Sequence, residues 1–113
     1  MSNTVVSDAA AYSIQAPIEG LCDATVTTGE ESLDCKALVG KYVYVQAEGC
    51  DIYVAFAATS TPTINLAAAT TVTAMVPILC KDGVMVPFVV QADSPVMKYK
   101  AKSGSGAIRV VRS

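Results

Sequence analysis

Four cysteines, at positions 22, 35, 50 and 80, and a complete lack of histidine bound the chemistry open to this chain. Without histidine neither a Ser-His nor a Cys-His pair can form, which removes the commonest ways of activating a nucleophile. A mixed cysteine–histidine zinc site is ruled out in the same way, and the cysteine spacing contains no Cys-x-x-Cys knuckle. The reading is therefore no metal and no cofactor, with thiols that are free and partly buried. If any pair bridges, it is Cys22 with Cys35, which flank one acidic loop. Paired carboxylates occur next to each other only as Glu30-Glu31, in a stretch that reads as a solvated loop. Glycosidase chemistry needs two carboxylates facing each other across a sugar, and nothing in the spacing of Asp51 and Asp82 sets them so. Gly104-Ser105-Gly106 joins two predicted strands rather than opening a helix, so it reads as a hairpin turn and not a phosphate loop. The chain is expected not to be an enzyme.

The residues left to carry function are those that make surfaces. Tyr42, Tyr44 and Tyr53 can share one face of a predicted hairpin, where aromatic cross-strand pairs stabilise a sheet. They serve there as packing between two layers, as a subunit interface or as a sugar platform. Charge is asymmetric along the chain. Residues 1–35 hold Asp8, Glu19, Asp23, Glu30, Glu31 and Asp34 and no base, while residues 98–112 hold Lys98, Lys100, Lys102, Arg109 and Arg112 and no acid. Such an arrangement either solvates two faces or orients the subunit against a neighbour by complementary potential. Lys98 and Lys100 in particular either meet an acidic partner or act as edge lysines that block strand addition. Nucleic acid is not an expected partner, because the net charge is −2 and the basic stretch carries one aromatic, Tyr99.

These side chains must be positioned by strands. Residues 41–47 alternate, with Val43, Val45 and Ala47 on one face and Tyr42, Tyr44 and Gln46 on the other. Residues 51–56 follow, with Ile52, Val54 and Phe56 opposite Tyr53 and Ala55, and the short link Glu48-Gly49-Cys50 predicts a hairpin. Residues 72–80 alternate again, Lys81-Asp82-Gly83 predicts a second hairpin turn, and 84–91 returns. Pro77 and Pro87 place those strands at an edge or bulge. Residues 96–101 set Val96, Lys98 and Lys100 against Met97, Tyr99 and Ala101, and 107–112 closes the domain. Shorter strands are predicted at 22–28 and 63–66, within stretches that otherwise read as loop. Together these give an all-β chain, an antiparallel β-sandwich or jelly-roll-like barrel of about 7–8 strands. Residues 21–113 form a single β domain preceded by an N-terminal arm over 1–20, with a short helix over 7–12 as the alternative for that segment.

The chain has 113 residues, of which 52% are hydrophobic, and its mean hydropathy is +0.45. No apolar run approaches the roughly 18 residues of a spanning helix, so no membrane association is expected, and residues 1–11 show no signal-peptide pattern. The excess of apolar residues predicts burial at a subunit interface, because monomers rarely expose large apolar patches.

Three segments also carry a likeness: 42–56 (Tyr-Val-Tyr-Val-Gln-Ala-Glu-Gly-Cys-Asp-Ile-Tyr-Val-Ala-Phe), then Asp82-Gly83 before Pro87-Phe88, then 99–113 with its Ser-Gly-Ser-Gly turn and Ile-Arg-Val-Val-Arg-Ser end. These resemble small β-rich virion proteins of tailed bacteriophages, of the capsid decoration (cement) type, over residues 40–113. The resemblance implies a homo-oligomer, with a trimer favoured. It also implies the major capsid protein as partner and a place on the capsid exterior, after assembly in the host cytoplasm. It carries no active-site residues. A neck, tail or fibre component and a carbohydrate-binding β-sandwich are the alternatives.

Overall fold

A computed structural model describes residues 20–72 and 74–112, and the predicted N-terminal arm lies almost wholly outside them. The described residues form eight strands: β1 (Gly20–Val26), β2 (Glu31–Asp34), β3 (Tyr42–Glu48), β4 (Ile52–Ala57), β5 (Ile78–Cys80), β6 (Met85–Val89), β7 (Val96–Ala101) and β8 (Gly106–Arg112), with a 3-10 turn at Lys36–Leu38. All pairings between these strands are antiparallel. They make two four-stranded sheets, the first in the order β1-β8-β3-β6 and the second in the order β2-β7-β4-β5.

The pairs β1·β8, β2·β7, β3·β6 and β4·β5 are nested, like the rungs of one long hairpin whose tip is the connection between β4 and β5. Rolling that hairpin up adds β8·β3 and β7·β4 and gives a jelly roll, which is the sandwich the alternation predicted. The inward-facing sets are Val43, Val45 and Ala47 of β3, Ile52 and Val54 of β4, Met97, Tyr99 and Ala101 of β7, and Ile108 and Val110 of β8, all buried. Phe56 of β4 and Phe88 of β6 meet across the gap between sheets, ring centroids 5.5 Å apart and tilted by 52°, a favoured aromatic geometry. Each buried Val, Ile or Met side chain among them contributes about 1.5–3 kcal/mol.

Three predicted hairpins are instead crossings between sheets. β3 and β4 belong to different sheets, as do β5 and β6, and β7 and β8. Glycine turns serve here as arches. Gly49 (φ 85) and Gly83 (φ 80) take the left-handed conformation that the predicted turns required. The two arches are tied together: Gly49 N–H donates to Asp82 Oδ1 at 2.9 Å, Asp82 N–H to Asp51 Oδ1 at 2.9 Å, and Gly83 N–H to the Ala47 carbonyl at 2.8 Å. A hairpin and an arch both keep Val45 and Ile52 on the core side, so alternation alone does not separate them.

Further differences concern extent. Among the described residues of the predicted strand over 72–80 only β5 is strand, and no strand forms at 63–66. Glu31, expected in a solvated loop, instead opens β2, which pairs with β7. Pro87 does lie on an edge strand, β6, opposite Tyr44. The other edges are equally poor templates for strand addition. β2 and β5 are four and three residues long, and β1 carries a bulge between Asp23 and Val26. Asp23 Oδ1 accepts the Thr25 N–H and hydroxyl, each at 3.0 Å, and so fixes that bulge. Among the described residues no helix is long and apolar enough to cross a membrane.

Candidate interaction surfaces

The outward face of the first sheet is built from alternate residues of β3, β6 and β8. Tyr42 stands opposite Val89, Tyr44 opposite Pro87 and Val111, and Gln46 opposite Met85 and Arg109. Tyr42 and Tyr44 stack on each other, centroids 6.3 Å apart and planes 15° apart. Tyr42 is 51% exposed, Val89 is exposed opposite it, and Met85 is exposed further along, opposite Gln46. The result is an apolar strip on a sheet face that no described segment covers. Tyr53 does not join it. The arch after β3 carries Tyr53 to the outward face of the second sheet, between Leu79 and Lys100, so the predicted three-tyrosine surface is split between opposite sides of the sandwich.

The outward face of the second sheet is covered by its own chain. Residues 58–72 and 74–77 fold back over it from the end of β4. Ile64 is buried there, along with Ala55 and Ala57 beneath. Lys98 is the anchor. It is not an edge lysine, because β7 lies between β2 and β4. It is 7% exposed, its Nζ donates to the Ser60 carbonyl at 2.6 Å and sits 3.4 Å from Glu30 Oε1. Both Glu30 oxygens accept the Ile64 N–H, at 3.2 and 3.0 Å. A desolvated ion pair with its remaining lone pairs bonded thus clamps the loop to the sheet. The far side of the loop is apolar: Leu66 and Val76 are exposed and Val72 is fully so, within a stretch, 52–80, that holds no charged residue. Lys100 is half-buried on β7.

The other predicted basic residues separate. Arg109 faces outward and donates to Glu48 Oε2 at 2.7 Å, both side chains being more than half exposed. Arg112 shares the inward-facing register of Ile108 and Val110.

One carboxylate pair was not anticipated. Asp23 and Glu31 meet where β1 and β2 close the side of the sandwich, with the buried Tyr99 hydroxyl donating to Asp23 Oδ2 at 3.1 Å. The Thr25 backbone N–H, then the hydrogen bond from Glu31, hold the Asp23 carboxyl down at about 2. Its hydrogen bond to Asp23, its partial burial and the Asp23 charge raise Glu31. Burial, followed by the Asp23 bond, pushes the Tyr99 phenol well up. Tyr99 belongs to the second sheet and Asp23 to the first, so their hydrogen bond links the two sheets. The signal of the carboxylate pair lay in register: Glu31 is paired with Tyr99, which needs β2 to be recognised as a strand. The cysteines are free, Cys22 exposed and Cys35 buried. Burial raises the Cys80 thiol to about 11, far from a reactive thiolate. No group of three metal-ligating side chains occurs among the described residues. Comparison with protein-family models, with curated proteins and with solved structures finds no match to this chain.

Proposed function

We propose that this protein is a structural virion subunit, a capsid decoration protein of a tailed bacteriophage that binds and stabilises the assembled head. The observation that carries this reading is the pair of apolar surfaces on opposite sides of one rigid sandwich: the Tyr42–Tyr44 strip on the first sheet and the outer side of loop 58–77 over the second. A subunit that bridges neighbours needs two such surfaces. The poor edges direct association to faces rather than to strand addition. Copies meet through one surface, in a trimer, and the major capsid protein through the other. Because only the assembled shell is bound, the assembled state gains stability by mass action.

The test is sedimentation of the purified chain, followed by mixing with heads that lack it. Oligomers in solution and saturable binding to heads support the proposal. Tyr42→Ala/Tyr44→Ala and Leu66→Ser/Val72→Ser should each weaken one of the two associations at least tenfold while the fold is kept. A strict monomer with no affinity for heads overturns it.

The exposed stacked tyrosines also favour a second reading, a carbohydrate-binding sandwich, since jelly rolls serve in lectins as well as capsids. Binding on a glycan array that the tyrosine double variant abolishes would select it.

A further inference from the structure

At the end of the sandwich away from the arches, a cavity of about 260 Å³ opens between β1, β2, β8 and the 3-10 turn. Its walls are apolar: Leu21, Leu33, Leu38 and Val110. Arg112 reaches it from the last described position of β8. Arg112 is directly opposite Val43, a wholly buried core residue, so its side chain starts on the core side of a central strand. Its Nε is buried and has no hydrogen-bond partner, and no ion pair among the described residues involves it. A buried donor of a charged group left unmet is costly, and native structures meet such donors with protein, water or ligand.

We infer that this cavity binds a carboxylate carried on a short apolar body. The guanidinium supplies a planar fork matched to a carboxylate, and such charge-assisted bonds are roughly twice as strong as neutral ones. The leucines and Val110 take the apolar body. The volume lies below the roughly 300–1,000 Å³ of pockets for drug-sized ligands, which suits a short amphiphile or the end of a chain rather than a cofactor. Asp34 also lines the cavity, with Oδ1 accepting the Lys36 N–H at 2.9 Å. The Asp34 carboxylate beside the single cation repels a dianion about twice as strongly as a monoanion, which disfavours a phosphate. Two sources offer this chemistry, a free aliphatic acid and a polypeptide C-terminus that ends in an apolar residue. The inference is independent of the virion reading.

The experiment is an NMR titration of the full chain with hexanoate, with 1-hexanol, and with a short peptide ending in leucine as free carboxylate or as amide. Saturable shifts at Leu21, Leu33, Leu38 and Val110 are expected with at least one carboxylate. Its uncharged counterpart should bind at least tenfold more weakly. Arg112→Gln should remove that preference while leaving hexanol binding unchanged, and Arg112→Lys should keep part of it. Because Arg112 has no ion-pair partner to lose among the described residues, both variants are expected to fold, which their unperturbed spectra would verify. Tighter hexanoate binding assigns the site to a free acid, and tighter peptide-carboxylate binding to a chain terminus. No saturable shift with either carboxylate, equal affinity for charged and uncharged forms, or an Arg112→Gln variant that binds like the parent overturns the inference.

Discussion

The two outward faces of this sandwich start from similar strands and end differently. Each has a tyrosine-bearing strand near its centre, β3 with Tyr42 and Tyr44, β4 with Tyr53. On the second sheet a long connection folds back, and one lysine–glutamate clamp holds it over Ala55 and Ala57. On the first sheet no described segment does the same, and a stacked tyrosine pair stands among exposed Val89 and Met85. The covered face has its desolvation settled within the chain. The bare face still has apolar area that association can remove from water. A charged residue beneath the loop is therefore a stability element, and under the proposed function an aromatic residue on the bare face is an association element.

The largest expected effect comes from undoing the cover. Lys98→Ala leaves the Glu30 carboxylate partly buried without its cation and frees Ser60, and should cost about 3 kcal/mol. Urea denaturation measures this, and limited proteolysis should show new cleavage within 58–77. Lys98→Met with Glu30→Gln, which removes both charges, should recover part of the loss. If Lys98→Ala is neutral, the loop is not clamped and the contrast between faces fails.

Next is the bare face. Tyr42→Ala/Tyr44→Ala should cost the isolated chain no more than about 1 kcal/mol, the scale of a cross-strand pair, while association falls at least tenfold by sedimentation. A double variant that unfolds would mean the strip holds the sheet together and is not a docking surface.

A third test concerns the side where the two sheets are joined. Asp23 has a depressed folded-state pKa, so its contribution is present above its usual range near 3.8 and is lost as pH falls toward about 2. Glu31 is raised, so its contribution is complete below 4.5 and is lost as pH rises through its folded-state value. Melting temperature against pH should therefore fall on both sides of this window. Asp23→Asn should flatten the acid limb, and Glu31→Gln the limb just above it.

The smallest effect is expected from Arg109→Ala. Its ion pair with Glu48 is exposed on both sides, and such pairs contribute little. The thermal midpoint should not move measurably, and a clear drop would show that charge also organises the first sheet's face.

Much of the architecture is readable in local pattern. The alternation of β3, β4 and β7 identifies core and outward residues one by one, from Val43 to Ala101. Pro87 marks an edge because it cannot donate to a ladder, and Asp82-Gly83 marks a left-handed turn. β2 escapes notice because Glu-Ser-Leu-Asp carries a single apolar side chain, so a period of two has nothing to register. The Lys98 clamp escapes because Glu30 and Ser60 are brought to it by two different loops, and the Asp23–Glu31 pair because its members belong to different sheets.

The residues alone determined that the chain is all-β and which side of each main strand is apolar, because both follow from backbone period and side-chain volume over a few positions. Only the tertiary structure decided which strands share a sheet. That choice depends on whether a short glycine turn folds as a hairpin or as an arch, and the two place the same side chains on the core. It separated Tyr53 from Tyr42 and Tyr44, buried Lys98, and covered one face while no described segment covers the other.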